Sequence, residues 1–145
     1  TGLPPSEGFA DRLNEDWAAA EAADLPMSMV LVDVTRIASD GDESAATEVA
    51  RVLSSEFAAV GTPSHAGEHL LALVLTNVPL DEAIEVAGLV QTALGGAFPD
   101  SSEGISMGVS ERRGSRAEDA AGYLRSLREA MDEGVAAGQN FVVYG

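Results

Sequence analysis

The chain has 145 residues, enough for one domain with a core of its own, and 46% of them are hydrophobic. Its 24 acids stand against 8 basic residues, and the formal net charge of −16 disfavours DNA, RNA and anionic lipid as partners. With no cysteine there can be no disulfide, thiolate metal site or cysteine nucleophile, a composition that suits a cytoplasmic location.

The first residues, Thr1-Gly2-Leu3-Pro4-Pro5, carry no positive charge ahead of an apolar block, so no signal peptide is read there. Ser6 is placed to cap a first helix in which Phe9, Leu13, Trp17 and Ala20 recur at helical spacing, running to about Asp24. Met27 to Val34 has the continuous apolar pattern of a strand covered on both faces and ends in Asp33-Val34-Thr35. A polar break from Ser39 to Ser44 precedes a second helix with Ala46, Val49, Val52, Leu53, Phe57 and Val60 turned inward, stopped by Gly61-Thr62-Pro63.

A short strand near Pro63 to Ala66, a turn at Gly67 and a strand from His69 to Thr76 read as a hairpin. Its apolar stretch Leu70 to Leu75 is the longest in the chain and far short of a membrane span, so no direct membrane contact is expected. Asp81 is placed to cap a third helix to about Leu94, with Gly95-Gly96 as its stop. A strand from Gly104 to Ser110, a helix capped by Ser115 over roughly Arg116 to Ala137, and a strand from Phe141 to Tyr144 complete the order. The pattern predicts an α+β fold, an α/β sandwich with a ferredoxin-like βαββαβ core. That central sheet is covered on one side by helices, and extra helices with a C-terminal strand extend it to five strands, mainly antiparallel.

Several segments, in order along the chain, resemble GGDEF domains of diguanylate cyclases. The turn Ala66-Gly67-Glu68-His69-Leu70 resembles an eroded GGDEF signature, and Thr1-Gly2-Leu3-Pro4 before Phe9 resembles the family's opening. Leu31-Val32-Asp33-Val34 resembles the strand that ends in the first metal-binding acid. Ile105-Ser106-Met107-Gly108-Val109 and Ala136-Ala137-Gly138-Gln139-Asn140 resemble the family's last motifs. The resemblance implies the fold shared by nucleotide cyclases and polymerase palms. It also implies that the stretch comes from a larger multidomain signalling protein, with neighbouring domains, a protein partner, a second copy of itself in a homodimer, or GTP as partners.

In the family, GTP is held by metal ions that neutralise its phosphates and activate the attacking hydroxyl. Carried over by resemblance, Asp33 and Glu68 would supply carboxylates and Val34 a backbone carbonyl to Mg²⁺, a set of oxygen ligands that suits this ion. Asp42, in a Gly41-Asp42 pair that follows Asp33 after an apparent loop deletion, would meet guanine, and Gly67 would let the backbone approach the nucleotide.

The rest of the site departs from the family. The second acid after the strand is Thr35, the fourth signature position is His69, and the first signature glycine is Ala66. The guanine-reading asparagine has no counterpart, and the phosphate-touching lysine and arginine fall at Val135 and Gln139. The arginine and aspartate of the family's inhibitory motif for cyclic di-GMP fall at Phe57 and Val60. These losses imply a degenerate domain with no catalytic residues, acting through nucleotide sensing or protein contact. The competing reading is a residual metal-dependent cyclase or NTP hydrolase that uses Asp33 and Glu68.

Plainer readings stand beside these. Asp33 reads equally as a strand-end acid capping a turn, Glu68 as a solvated hairpin residue, and His65 and His69 as surface or packing residues. Trp17 sits at core spacing. Arg112, Arg113 and Arg116 form the one dense basic patch, either a solvated loop or a docking point for an acidic partner or second subunit.

Overall fold

A computed structural model of the chain describes residues 3–38, 43–114 and 117–144. Its order is α1 (Phe9–Ala23), β1 (Met27–Asp33), α2 (Ser44–Glu56), β2 (Thr62–Gly67), β3 (Leu70–Thr76), α3 (Leu80–Ala97), β4 (Ser106–Glu111), α4 (Ala120–Ala136) and β5 (Phe141–Tyr144). Strand order across the sheet is β2-β3-β1-β4-β5. All neighbouring pairs are antiparallel except β4 with β5. This is the expected βαββαβ core, extended by α1, α4 and β5.

The central strand organises both layers. Side chains alternate across a strand, so Val30 and Val32 enter one core with α2 and α3, while Met27, Met29 and Leu31 enter another with α1 and α4. The core helices cover one side of the sheet, as expected, and the extra helices form a second layer. The core helices α2 and α3 do lie together, but α1 and α4 bury the opposite face, where Phe9, Leu13, Trp17, Tyr123, Leu127 and Met131 would otherwise meet water.

The helix limits also differ from the sequence reading, each for a local reason. Ser6 takes part in a turn, its carbonyl accepting from Phe9 N–H, and Gly8, with φ of 79°, precedes the helix. Pro79 rather than Asp81 precedes α3, and Gly95-Gly96 lie inside it because the helix runs on to Ala97 and Phe98 closes it. Asp119 caps α4 through its carboxylate, which accepts from Gly122 N–H at 2.8 Å, so the helix starts later than expected. Ser115 lies outside the described residues. Phe57 is buried at the end of α2, but Val60, beyond that end, is exposed rather than turned inward.

The α1/α4 layer is pinned by aromatic and polar contacts. Trp17 and Tyr123 pack with ring centroids 5.3 Å apart, and the buried Tyr123 hydroxyl donates to the Ser110 carbonyl at 2.7 Å. Burial is the chief cause that pushes the Tyr123 phenol well above its ordinary range, so it stays a neutral donor. Close approach of α4 to the sheet depends on Gly108 of β4. A Cβ there would lie 2.6 Å from Met131 Cγ and 2.9 Å from Leu127 Cδ1. Gly108→Ala should therefore lower stability by about 1–3 kcal/mol, read as a lower midpoint in denaturant unfolding, whereas Gly95→Ala, with open space around its added methyl group, should not.

Candidate functional site

Pairing of β1 with β3 brings the strand end and the signature turn side by side. Asp33 is in register with Leu70, and Val34 N–H donates to the His69 carbonyl at 2.9 Å. Beyond β1 the chain must satisfy its polar groups without a neighbouring strand, and it does so by closing on itself. Asp33 Oδ1 accepts from both the backbone N–H of Thr35, at 2.8 Å, and the Thr35 hydroxyl, at 2.5 Å. The Val34 carbonyl accepts from Ile37 N–H at 3.1 Å and Ala38 N–H at 3.0 Å.

These bonds decide what the three residues carried over from the family can do. A carbonyl oxygen has two lone pairs, and both acceptor positions of Val34 are used within the turn. Asp33 has one oxygen engaged by Thr35 and one remaining. The Glu68 side chain is 74% exposed, with His69 Nε2 at 3.9 Å. It lines a cavity of about 330 Å³ with Gly67, His65, Thr47 and Glu43, between the hairpin and the start of α2. Asp33 lines a different cavity, of about 290 Å³, against α4. A Mg²⁺ site needs near-octahedral oxygen ligands converging on a point, whereas here the Val34 carbonyl is engaged within the turn and Asp33 and Glu68 line different cavities.

The hairpin itself is irregular. The β2–β3 register shifts between His65 and Gly67, so the turn bulges where the signature lies. Gly67 sits close to the following strand, and a Cβ there would lie 3.2 Å from Leu70 Cβ. The opening segment docks beside it. His65 N–H donates to the Pro4 carbonyl at 3.1 Å, and Arg12 Nη2 donates to the Pro5 carbonyl at 2.8 Å and to Ser64 Oγ at 2.9 Å. His69 is mostly buried, and its Nδ1 has no hydrogen-bond partner among the described residues. Asp42, expected to meet guanine, lies outside the described residues.

The basic patch is drawn into the fold. The Arg112 guanidinium lies 5.7 Å from the centroid of the Trp17 ring, and its Nη2 donates to the Leu25 carbonyl at 3.2 Å. Arg113 Nε pairs with the buried Glu111 carboxylate at 2.9 Å. Arg116 lies outside the described residues.

Sequence reading missed the cations that share the Asp33 cavity. Arg36, from the turn after β1, and Arg128, from α4, line the Asp33 cavity together with Thr35, Ser106 and Asp132. The available signal was the spacing of Arg128, Asp132 and Val135, which places all three on one helix face. Val135, where the family's lysine would fall, lines the same cavity.

No family model matches the chain, and neither does any curated protein. Among solved structures it is similar to the active GGEEF domain of a diguanylate cyclase from Vibrio cholerae. Identity is 19% and the TM-score 0.72, over 99% of this chain and 98% of that one. It is similar to the GGDEF domain of DgcB from Caulobacter crescentus in complex with c-di-GMP, at 18% identity and a TM-score of 0.74, covering 98% and 88% of the two chains. A third is the diguanylate cyclase SiaD in complex with its activator SiaC from Pseudomonas aeruginosa, at 18% identity and a TM-score of 0.78, covering all of this chain and 60% of that one. The chain thus has the palm-like fold of a GGDEF diguanylate cyclase domain over nearly its whole length. Among the described residues, no helix is long and apolar enough to cross a membrane.

Burial lowers the pKa of His65, on the wall of the hairpin cavity, below the ordinary 6.5. The unfolded chain then takes up this proton more readily than the folded one, so the contribution of His65 is fully present above pH 6.5 and is lost as pH falls below it. Stability measured by denaturant unfolding should fall less steeply below pH 6.5 in His65→Gln than in the parent.

Proposed function

We propose that this domain serves cyclic di-GMP-type signalling as a regulatory module that senses nucleotide without cyclising it. One observation carries the reading: the Val34 carbonyl and one of the two Asp33 oxygens are engaged in closing their own turn while Glu68 opens into a separate cavity. Cyclase chemistry needs these groups to converge on metal ions beside the reacting phosphate. The substitutions at Thr35, Ala66 and His69 point the same way, since the turn lacks the second acid of each family motif. The cavities that flank the turn retain polar walls and the fold of a nucleotide-using domain, which favours retained binding over a domain that only makes protein contacts. Regulation would pass to neighbouring domains, a protein partner or a second copy of the chain.

The test is GTP titration by calorimetry, with product analysis of the same samples. Heat of binding with no cyclic di-GMP and no hydrolysis over hours is the expected result. Formation of cyclic di-GMP that disappears in Glu68→Ala would instead establish a working cyclase. Absence of both heat and product at millimolar GTP would leave protein contact as the function.

A further inference from the structure

We propose that Arg36 and Arg128 form a clamp for a diphosphate group that works without a metal ion. The two guanidinium groups belong to elements far apart in sequence and line one cavity beside Asp33. Neither has a hydrogen-bonded or ion-paired partner among the described residues. Among the described arginines, Arg125 alone shares this state, and it does not line the cavity. Arg12, Arg51, Arg112 and Arg113 are all engaged by protein groups.

The cavity wall selects the kind of anion. Arg36 and Arg128 face it together with the carboxylates of Asp33 and Asp132, so the charged side chains of the wall sum to about zero and a small anion gains little from the mean field. A group that reaches both guanidiniums gains two forked, charge-assisted sets of hydrogen bonds. A diphosphate has that reach. The cavity, at about 290 Å³, admits it, and Ser106 adds a hydroxyl to the wall. Cations drawn from the protein take over charge neutralisation that a metal would otherwise provide.

The clamp sits at different positions from the lost cations. Val135 and Gln139 stand where the family places its phosphate contacts, whereas Arg128 lies two turns earlier on α4 and Arg36 on the turn after β1. The inference rests on the nucleotide-sensing reading for its natural ligand, because a nucleoside di- or triphosphate presents the same group as free pyrophosphate.

The experiment is calorimetric titration of the 145-residue chain with inorganic pyrophosphate in EDTA, comparing the parent with Arg36→Ala, Arg128→Ala and Arg125→Ala. Arg125 is exposed on the same helix but does not line the cavity. Binding in EDTA is expected for the parent and Arg125→Ala, with affinity lower by about tenfold in each of the other two, the loss typical of a charge-assisted contact. Should an alanine variant unfold, Arg36→Lys and Arg128→Lys carry the same test, since they keep the charge and lose the fork. No binding in EDTA, or equal weakening by Arg125→Ala, overturns the clamp. GTP separates the two ideas: binding of GTP without pyrophosphate binding sinks the clamp alone, and the reverse result keeps the clamp while sinking nucleotide sensing.

Discussion

Burial of β1 on both faces and along both edges is the constraint from which the remaining structure follows. Its residues from Met27 to Val32 are all buried, and it pairs with β3 on one side and β4 on the other. Two helical layers are then required, one for each set of alternating side chains. The strand can meet polar chemistry only where it leaves the sheet, at Asp33. How the backbone satisfies itself at that exit sets what the neighbouring side chains are free to do.

In this chain the exit is closed internally. Thr35 occupies an oxygen of Asp33, and Ile37 and Ala38 occupy the carbonyl of Val34. A turn of this kind stabilises the local backbone in the way Asx turns generally do. It also competes directly with metal coordination, because the same lone pairs serve both purposes. Replacement of an acid by Thr35 thus does more than delete a charge. It supplies a hydroxyl donor that joins the backbone N–H in holding Asp33 in its present role. Positive charge near the turn comes instead from Arg36 and Arg128, in a protein whose background field repels anions.

Much of this was legible in the sequence, for identifiable reasons. Helical spacing of Phe9, Leu13 and Trp17 and the largely apolar run of Met27 to Val32 located buried elements, because burial imposes those patterns. The hairpin and the order of elements led to the βαββαβ core. Less visible was the second helical layer, since α1 and α4 lie outside the core motif and only the alternate side chains of β1 show that they are needed. Boundaries slipped where backbone groups or a neighbouring side chain did the capping, as with Gly8, Pro79 and Asp119. In the site, Asp33 and Glu68 were recognisable as candidates, but their separation into two cavities depends on where the hairpin bulges and α4 docks. Arg36 and Arg128 escaped notice because only tertiary structure brings them together.

A crystal structure of the protein grown with a non-hydrolysable GTP analogue and Mn²⁺ tests the central claim most directly, since anomalous scattering locates the metal independently of any interpretation of the ligand. The account predicts no manganese bridging Asp33, Val34 and Glu68, with the Val34 carbonyl still accepting from Ile37 and Ala38. Manganese bound by both carboxylates and the Val34 carbonyl, with the turn opened to release that oxygen, would contradict it.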